Sequence, residues 1–187
     1  MLTKTIRPLS RTLCVDLEFT FGKKNTDRVD IYEIGIVAID EYGKEVDSFQ
    51  THVLPDSFCG NTLEFLSLTE KDFVGAPDLK TALISMNDFV EKQFKSVDRV
   101  NWCSWGDRDK QILSNKAGRV SITNGHKLTR SPYFDAQLKF SQRVPRSSYR
   151  PSLREAVEDF CGTYIENHHS ALDDARALSK VVSRYCY

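Results

Sequence analysis

Seven residues near the start of the chain, Leu13-Cys14-Val15-Asp16-Leu17-Glu18-Phe19, limit its possible folds more than any others, because two carboxylates interrupt an otherwise apolar run. A strand apolar on both faces belongs inside a sheet that is covered on both sides. Side chains two apart on a strand share a face, so Asp16 and Glu18 present their carboxylates side by side. Neighbouring anions repel each other and are costly to take out of water unless a cation lies between them or they face solvent. The run is therefore either an edge strand with a polar face or a buried strand carrying a cation site, and its apolar flanks favour the cation site.

The remaining pattern alternates strands and helices. Ile31 to Ile39 is rich in β-branched residues, Asp40-Glu41-Tyr42-Gly43-Lys44 reads as a turn, and a further strand ends near Leu54, which together predict a hairpin-linked antiparallel pair. Pro77 followed by Leu79, Leu83, Met86, Val90 and Phe94 predicts a helix with a proline near its first turn. Val97 to Trp105 reads as another buried strand, and Arg108 to Ala117 as a helix. An irregular segment follows, with Asn124-Gly125 as a turn signal. Ser152-Leu153-Arg154-Glu155 is a capping box, and the last helix is expected from about Ala171 to Tyr185. With 187 residues, 40% of them hydrophobic, one α/β domain over 1–187 with its core at about 10–186 is expected.

Helical wheels separate the aspartates that point inward from those that point out. From Asp174, steps of four, seven, eight and eleven reach Leu178, Val181, Val182 and Tyr185, whereas Asp173 shares its side with Ala177, Lys180 and Arg184. Asp174 should face the protein body, and Asp173 the solvent beside a helix N-terminus that favours anions. His169 precedes Asp174 by five residues; His168, which would match Asp173, is expected at the surface. Likewise Asp109 leads Ile112 and Leu113 and should point inward, leaving Asp107 as the helix cap. Three aspartates, a glutamate and a histidine suit a two-metal phosphodiesterase.

Charge and cysteine usage narrow the class. A formal net charge of zero argues against a protein that coats DNA electrostatically. Between Lys127 and Arg154, however, seven basic residues (Lys127, Arg130, Lys139, Arg143, Arg146, Arg150 and Arg154) stand against the single acid Asp135. Tyr133, Phe140 and Tyr149 among them offer stacking faces for a single strand. A solvated loop is the competing reading. The five cysteines are scattered, with no Cys-x-x-Cys pair, as expected of reduced thiols. Met1 to Arg11 has no apolar core of the signal-peptide kind, and a soluble cytoplasmic protein is expected.

Taken together, these motifs resemble the DEDDh branch of the 3′-to-5′ exonuclease superfamily: Asp16-x-Glu18 its first motif, Asp109 with apolar 112 and 113 its second, His169-x-Ala171-x-x-Asp174-Ala175 its third. Ser170 stands where the sibling DEDDy branch has tyrosine. Tyr32-Glu33-Ile34-Gly35, Leu66-Ser67-Leu68-Thr69 before Ala76-Pro77, and Ser104-Trp105-Gly106 are similar to landmarks of the KapD/Eri-like group. The resemblance implies an RNase H-like mixed sheet of about five strands flanked by helices. It implies two Mg²⁺ or Mn²⁺ ions held by Asp16, Glu18, Asp109 and Asp174, with Asp16 bridging them and His169 as general base. The implied substrate is a single-stranded RNA or DNA 3′ end, with RNA favoured. Leu17 and Phe19 belong to the strand core by alternation, but the segment around Leu17 meets the terminal nucleotide in similar enzymes, and Trp105 either stacks on a base or packs inside. Arg143, Arg146 and Arg150 are candidates for holding the strand. DNA repair or proofreading, and a non-catalytic nucleic-acid-binding role on the same fold, are the alternatives.

Overall fold

In the computed structural model, residues 10–20, 29–121, 126–144, 150–162 and 169–186 are described. The central strand β1 (Ser10–Phe19) pairs antiparallel with β2 (Ile31–Ile39), which pairs antiparallel with β3 (Glu45–His52). The helix α1 (Gly60–Leu66) and a 3₁₀ turn (Glu70–Phe73) lead to α2 (Leu79–Ser96). After it come β4 (Arg99–Ser104), α3 (Arg108–Arg119), α4 (Lys127–Arg130), β5 (Tyr133–Asp135) and α5 (Ala136–Arg143). The chain ends with α6 (Leu153–Ala156), a π turn (Val157–Cys161) and α7 (Ala171–Tyr185). The sheet order is β3-β2-β1-β4-β5, with β4 parallel to both β1 and β5, giving the mixed five-stranded RNase H-like arrangement.

The pleat of β1 sorts its side chains between two helical layers. Leu13, Val15 and Leu17 join Leu83, Met86 and Val90 of α2 and Ile112 and Leu113 of α3 on one face. Cys14 meets Val37, Ile39 and the Ala175, Leu178 and Val182 stripe of α7 on the other. Every residue of β2 is buried, and each fully covered Val, Leu or Ile side chain contributes about 1.5–3 kcal/mol. Asp16 and Glu18, being even-numbered, fall on the α7 face.

The hairpin forms as expected: Asp40 Oδ1 accepts the N–H groups of Tyr42 and Lys44, each at 2.9 Å. The capping box is present, with Ser152 N–H donating to Glu155 Oε2 at 2.8 Å and Glu155 N–H to Ser152 Oγ at 3.2 Å. The structure departs from the sequence reading in three places. β3 ends at His52, and Leu54 instead makes an isolated bridge to Asp78. The segment before Ser152 contains β5 and α5, whose three and eight residues are too short for a periodic signal. Ala177 is buried against Phe140 and Val157, because the π-turn segment covers the outer side of α7. The turn at Asn124-Gly125 and the position of His168 lie outside the described residues. No helix among those described is long and apolar enough to cross a membrane.

Candidate active site

Asp16 sits opposite Gly35 in the β1–β2 ladder, and Glu18 opposite Glu33. The lack of a side chain at Gly35 lets the start of α7 rest on the sheet: a Cβ there would lie 2.2 Å from the Ala171 carbonyl carbon and oxygen and 2.4 Å from the Leu172 nitrogen. Because α7 enters at this point, Asp174 in its first turn reaches the strand carboxylates. Oxygens of Asp16, Glu18 and Asp174 lie within 4.8 Å of one another.

Asp109 arrives from the β4 side. Pairing of β1 with β4 ends at Cys14 and Cys103, and beyond it the Leu17 N–H donates to Asp109 Oδ1 at 3.1 Å. A sharp turn brings α3 to this place. Gly106 adopts φ 82, a left-handed conformation natural to glycine, and its carbonyl accepts the hydroxyls of Ser104 and Tyr133, both at 2.7 Å. Asp107 occupies the N-cap position of α3, but its carboxylate accepts the Gln111 side-chain amide at 2.7 Å instead of a backbone N–H. Its φ and ψ of −101° and −1° leave it outside the extended capping geometry.

His169 precedes α7 with φ 72, where its charge and its backbone both help the Asp174 carboxyl to ionise. Its imidazole lies on the ring of Phe65, with centroids 4.2 Å apart. Asp16, Glu18, Asp109, His169 and Asp174 all line one open cleft of about 290 Å³.

Burial and mutual repulsion push these acids up. Asp16 is raised well above the carboxylate range by desolvation and then by Asp109, Glu18, Asp174 and Glu33. Glu18 rises to about 8 through burial and the charges of Asp174, Glu33 and Asp109. Burial carries Asp109 to about 7 against the opposing N–H groups of Asp109 itself and Leu17 and the charge of Arg108. Asp174 reaches about 6, burial outweighing the help of His169. Carboxylates held together at this cost are what a hard divalent cation relieves, and an all-oxygen donor set suits such an ion.

The other residues singled out from the sequence divide into two groups. Leu17, Phe19 and Trp105 line the cleft. Trp105 is also anchored: its indole N–H donates to the Pro151 carbonyl at 3.0 Å, and its ring packs on Phe140 at 5.7 Å. Arg143 and Arg150 are exposed and do not line the cleft, and Arg146 and Tyr149 lie outside the described residues. Phe140 is no stacking face, being 1% exposed in the core beside α7. Tyr133 is half-buried and engaged with Gly106 and Ser104, with the Lys110 ammonium 4.3 Å from its ring centroid. Sequence reasoning missed Arg108, which lines the cleft with its guanidinium 5.8 Å from the Phe19 ring centroid; a base beside an inward aspartate was the available signal. Leu153, also on the wall, left no signal beyond its place in the capping box.

No curated protein sequence matches the chain. Among solved structures it is similar to the nuclease domain of 3′hExo, a DEDDh family member bound to rAMP. The TM-score is 0.74 at 17% identity, covering 96% of this chain and 92% of that one. It is also similar to a 3′-exonuclease solved for 3′-end specific recognition of a histone mRNA stem-loop (TM-score 0.74, 15% identity, 95% and 80% covered). A third neighbour is cell-death related nuclease 4, CRN-4 (TM-score 0.72, 15% identity, 95% and 64% covered). The model of the RNase_T exonuclease family matches residues 13–182, a span that includes all five acidic and histidine side chains of the cleft. The chain belongs to the exonuclease family.

Proposed function

We propose that the protein is a metal-dependent 3′-to-5′ exonuclease that hydrolyses the 3′-terminal phosphodiester of single-stranded nucleic acid, RNA in preference to DNA, and releases nucleoside 5′-monophosphates. The observation that carries this reading is the convergence of Asp16, Glu18 and Asp174 within 4.8 Å, in a cleft shared with Asp109 and His169. The preference for RNA is supported by the KapD/Eri-like landmarks, by the rAMP bound to one structural neighbour and by the histone mRNA stem-loop that another recognises. From cysteines that are scattered, with no Cys-x-x-Cys pair, we place the protein in the reducing cytoplasm.

Asp16, Glu18, Asp109 and Asp174 would hold two Mg²⁺ or Mn²⁺ ions. Bound there, such ions supply Lewis acidity for the attacking water and the leaving oxygen. His169 takes the proton of that water, a task suited to an imidazole, whose unperturbed pKa is about 6.5. Leu17, Phe19 and Trp105 border the place of the terminal nucleotide, Arg108 brings a positive charge to the same wall, and Arg143, Arg146 and Arg150 are assigned to the strand behind it.

A time course on 3′- and 5′-labelled RNA and DNA oligomers, with Mn²⁺ or with EDTA, tests this. A 5′ label should pass through a descending ladder while a 3′ label is released at once as a mononucleotide, faster from RNA, with no turnover in EDTA. Attack from the 5′ end, or full activity in EDTA, would overturn it.

A further inference from the structure

The buried strand β2 contains one carboxylate, Glu33, which is 2% exposed and belongs to none of the motifs assigned to hydrolysis. A carboxylate in that position needs hydrogen-bond donors. Its Oε2 accepts the Ala171 N–H at 3.2 Å, and its Oε1 accepts the Gln50 side-chain amide. Ala171 is the first residue of α7, whose N-cap, Ser170, makes no side-chain capping bond. The first N–H groups of a helix have no partner within it. Here a side chain 138 residues away in sequence serves one of them. Ala171 lies two residues after His169 and three before Asp174, so whatever holds Ala171 holds both.

We propose that Glu33 is a positioning residue of the exonuclease site: by bonding the first turn of α7 to β2, it sets where His169 and Asp174 stand against Asp16 and Glu18. The assignment rests on the exonuclease reading above. Glu33 lies directly opposite Glu18 in the ladder, and Gly35, two residues along the same face, receives the Ala171 backbone. Side chain and bare backbone thus grip one helix end at adjacent points. Glu33 also adds to the repulsion that raises Asp16, Glu18 and Asp174, so its charge works against the neighbouring carboxylates while its reach serves them.

The test separates reach from charge. Glu33→Gln keeps the length and an acceptor for Ala171, and Gln50 can turn its amide to match. Glu33→Asp keeps the charge but falls one methylene short, and Glu33→Ala removes both. Steady-state kinetics on a labelled oligonucleotide, and the Mn²⁺ concentration giving half of the thermal stabilisation, are measured for each. The Gln variant should keep kcat and the Mn²⁺ midpoint within about threefold of wild type. The Asp and Ala variants should lose about 10- to 100-fold in kcat with little change in KM, and their Mn²⁺ midpoints should rise, as when other groups that orient metal ligands are removed. An Asp variant equal to or better than Gln in both readouts, or an Ala variant with wild-type kcat and midpoint, would overturn the assignment. If the Ala protein fails to fold, the Asp and Gln pair decides. The Mn²⁺ midpoint needs no turnover, so it judges Glu33 even if the wild type degrades no oligonucleotide, a result that would count against the exonuclease reading alone.

Discussion

His169 is held in an unusual way for the group proposed to take a proton. Its left-handed backbone, φ 72, is uncommon outside glycine and persists only where the surroundings enforce it. Its neighbours there are Asp174, whose ionisation it favours, and Phe65, whose ring centroid lies 4.2 Å from that of the imidazole at a tilt of 48°. His169→Ala should therefore lower kcat by at least ~100-fold, the scale of general-base catalysis, yet still show a rise in melting temperature with Mn²⁺. Near-normal turnover of a labelled oligonucleotide by that variant would remove His169 from the mechanism. The offset of five to an inward aspartate made the histidine legible in the sequence. Phe65 was not, because nothing local connects residues 65 and 169. Glu33 could have been found by the logic that singled out Asp16 and Glu18, an acid inside an apolar strand.

Among the secondary-structure elements, the junction of β2 and α7 controls the site. Gly35 needs no special backbone angle; it needs to be small, since any Cβ would overlap the Ala171 carbonyl group. Gly35→Ala should push α7 outward, destabilise the protein by about 1–3 kcal/mol as overpacked cores do, and cut activity more than its stability loss explains. Chemical denaturation and kcat measured at a temperature where the variant is fully folded check this; wild-type values in both would show that the contact tolerates a methyl group. Helix faces were readable because α7 and α3 carry regular apolar stripes, and Asp174 and Asp109 sit on them as their wheels predicted. The short β5 and α5 were not, since so few residues cannot display a period.

Over the molecule as a whole, the acidic cluster couples stability to pH and metal. The folded values of Asp174, Asp109 and Glu18, about 6, 7 and 8, exceed those of exposed carboxylates, so the native state binds more protons than the unfolded state between roughly pH 4 and 8. The metal-free protein should therefore be more stable at pH 5 and lose stability as pH rises through 6 to 8. Each kcal/mol lost lowers the melting temperature by about 2–4 °C in a chain of this size. Mn²⁺ or Mg²⁺ should reverse the trend, because they bind the ionised carboxylates. Melting curves from pH 5 to 8.5 in EDTA and in Mn²⁺ check this, and a flat EDTA profile would contradict the clustering of charge.

The linear chain was enough to predict a sheet with a buried central strand and the inward aspartates of two helices. Each of these follows from short-range periodicity, which is written in the order of residues. Distances between those groups came from packing: Asp109 takes up the Leu17 N–H where the β4 pairing stops, and α7 touches Gly35 and Glu33 from the far end of the sequence. Such contacts join residues 92 and 138 positions apart, and only a folded backbone brings them within reach of one another.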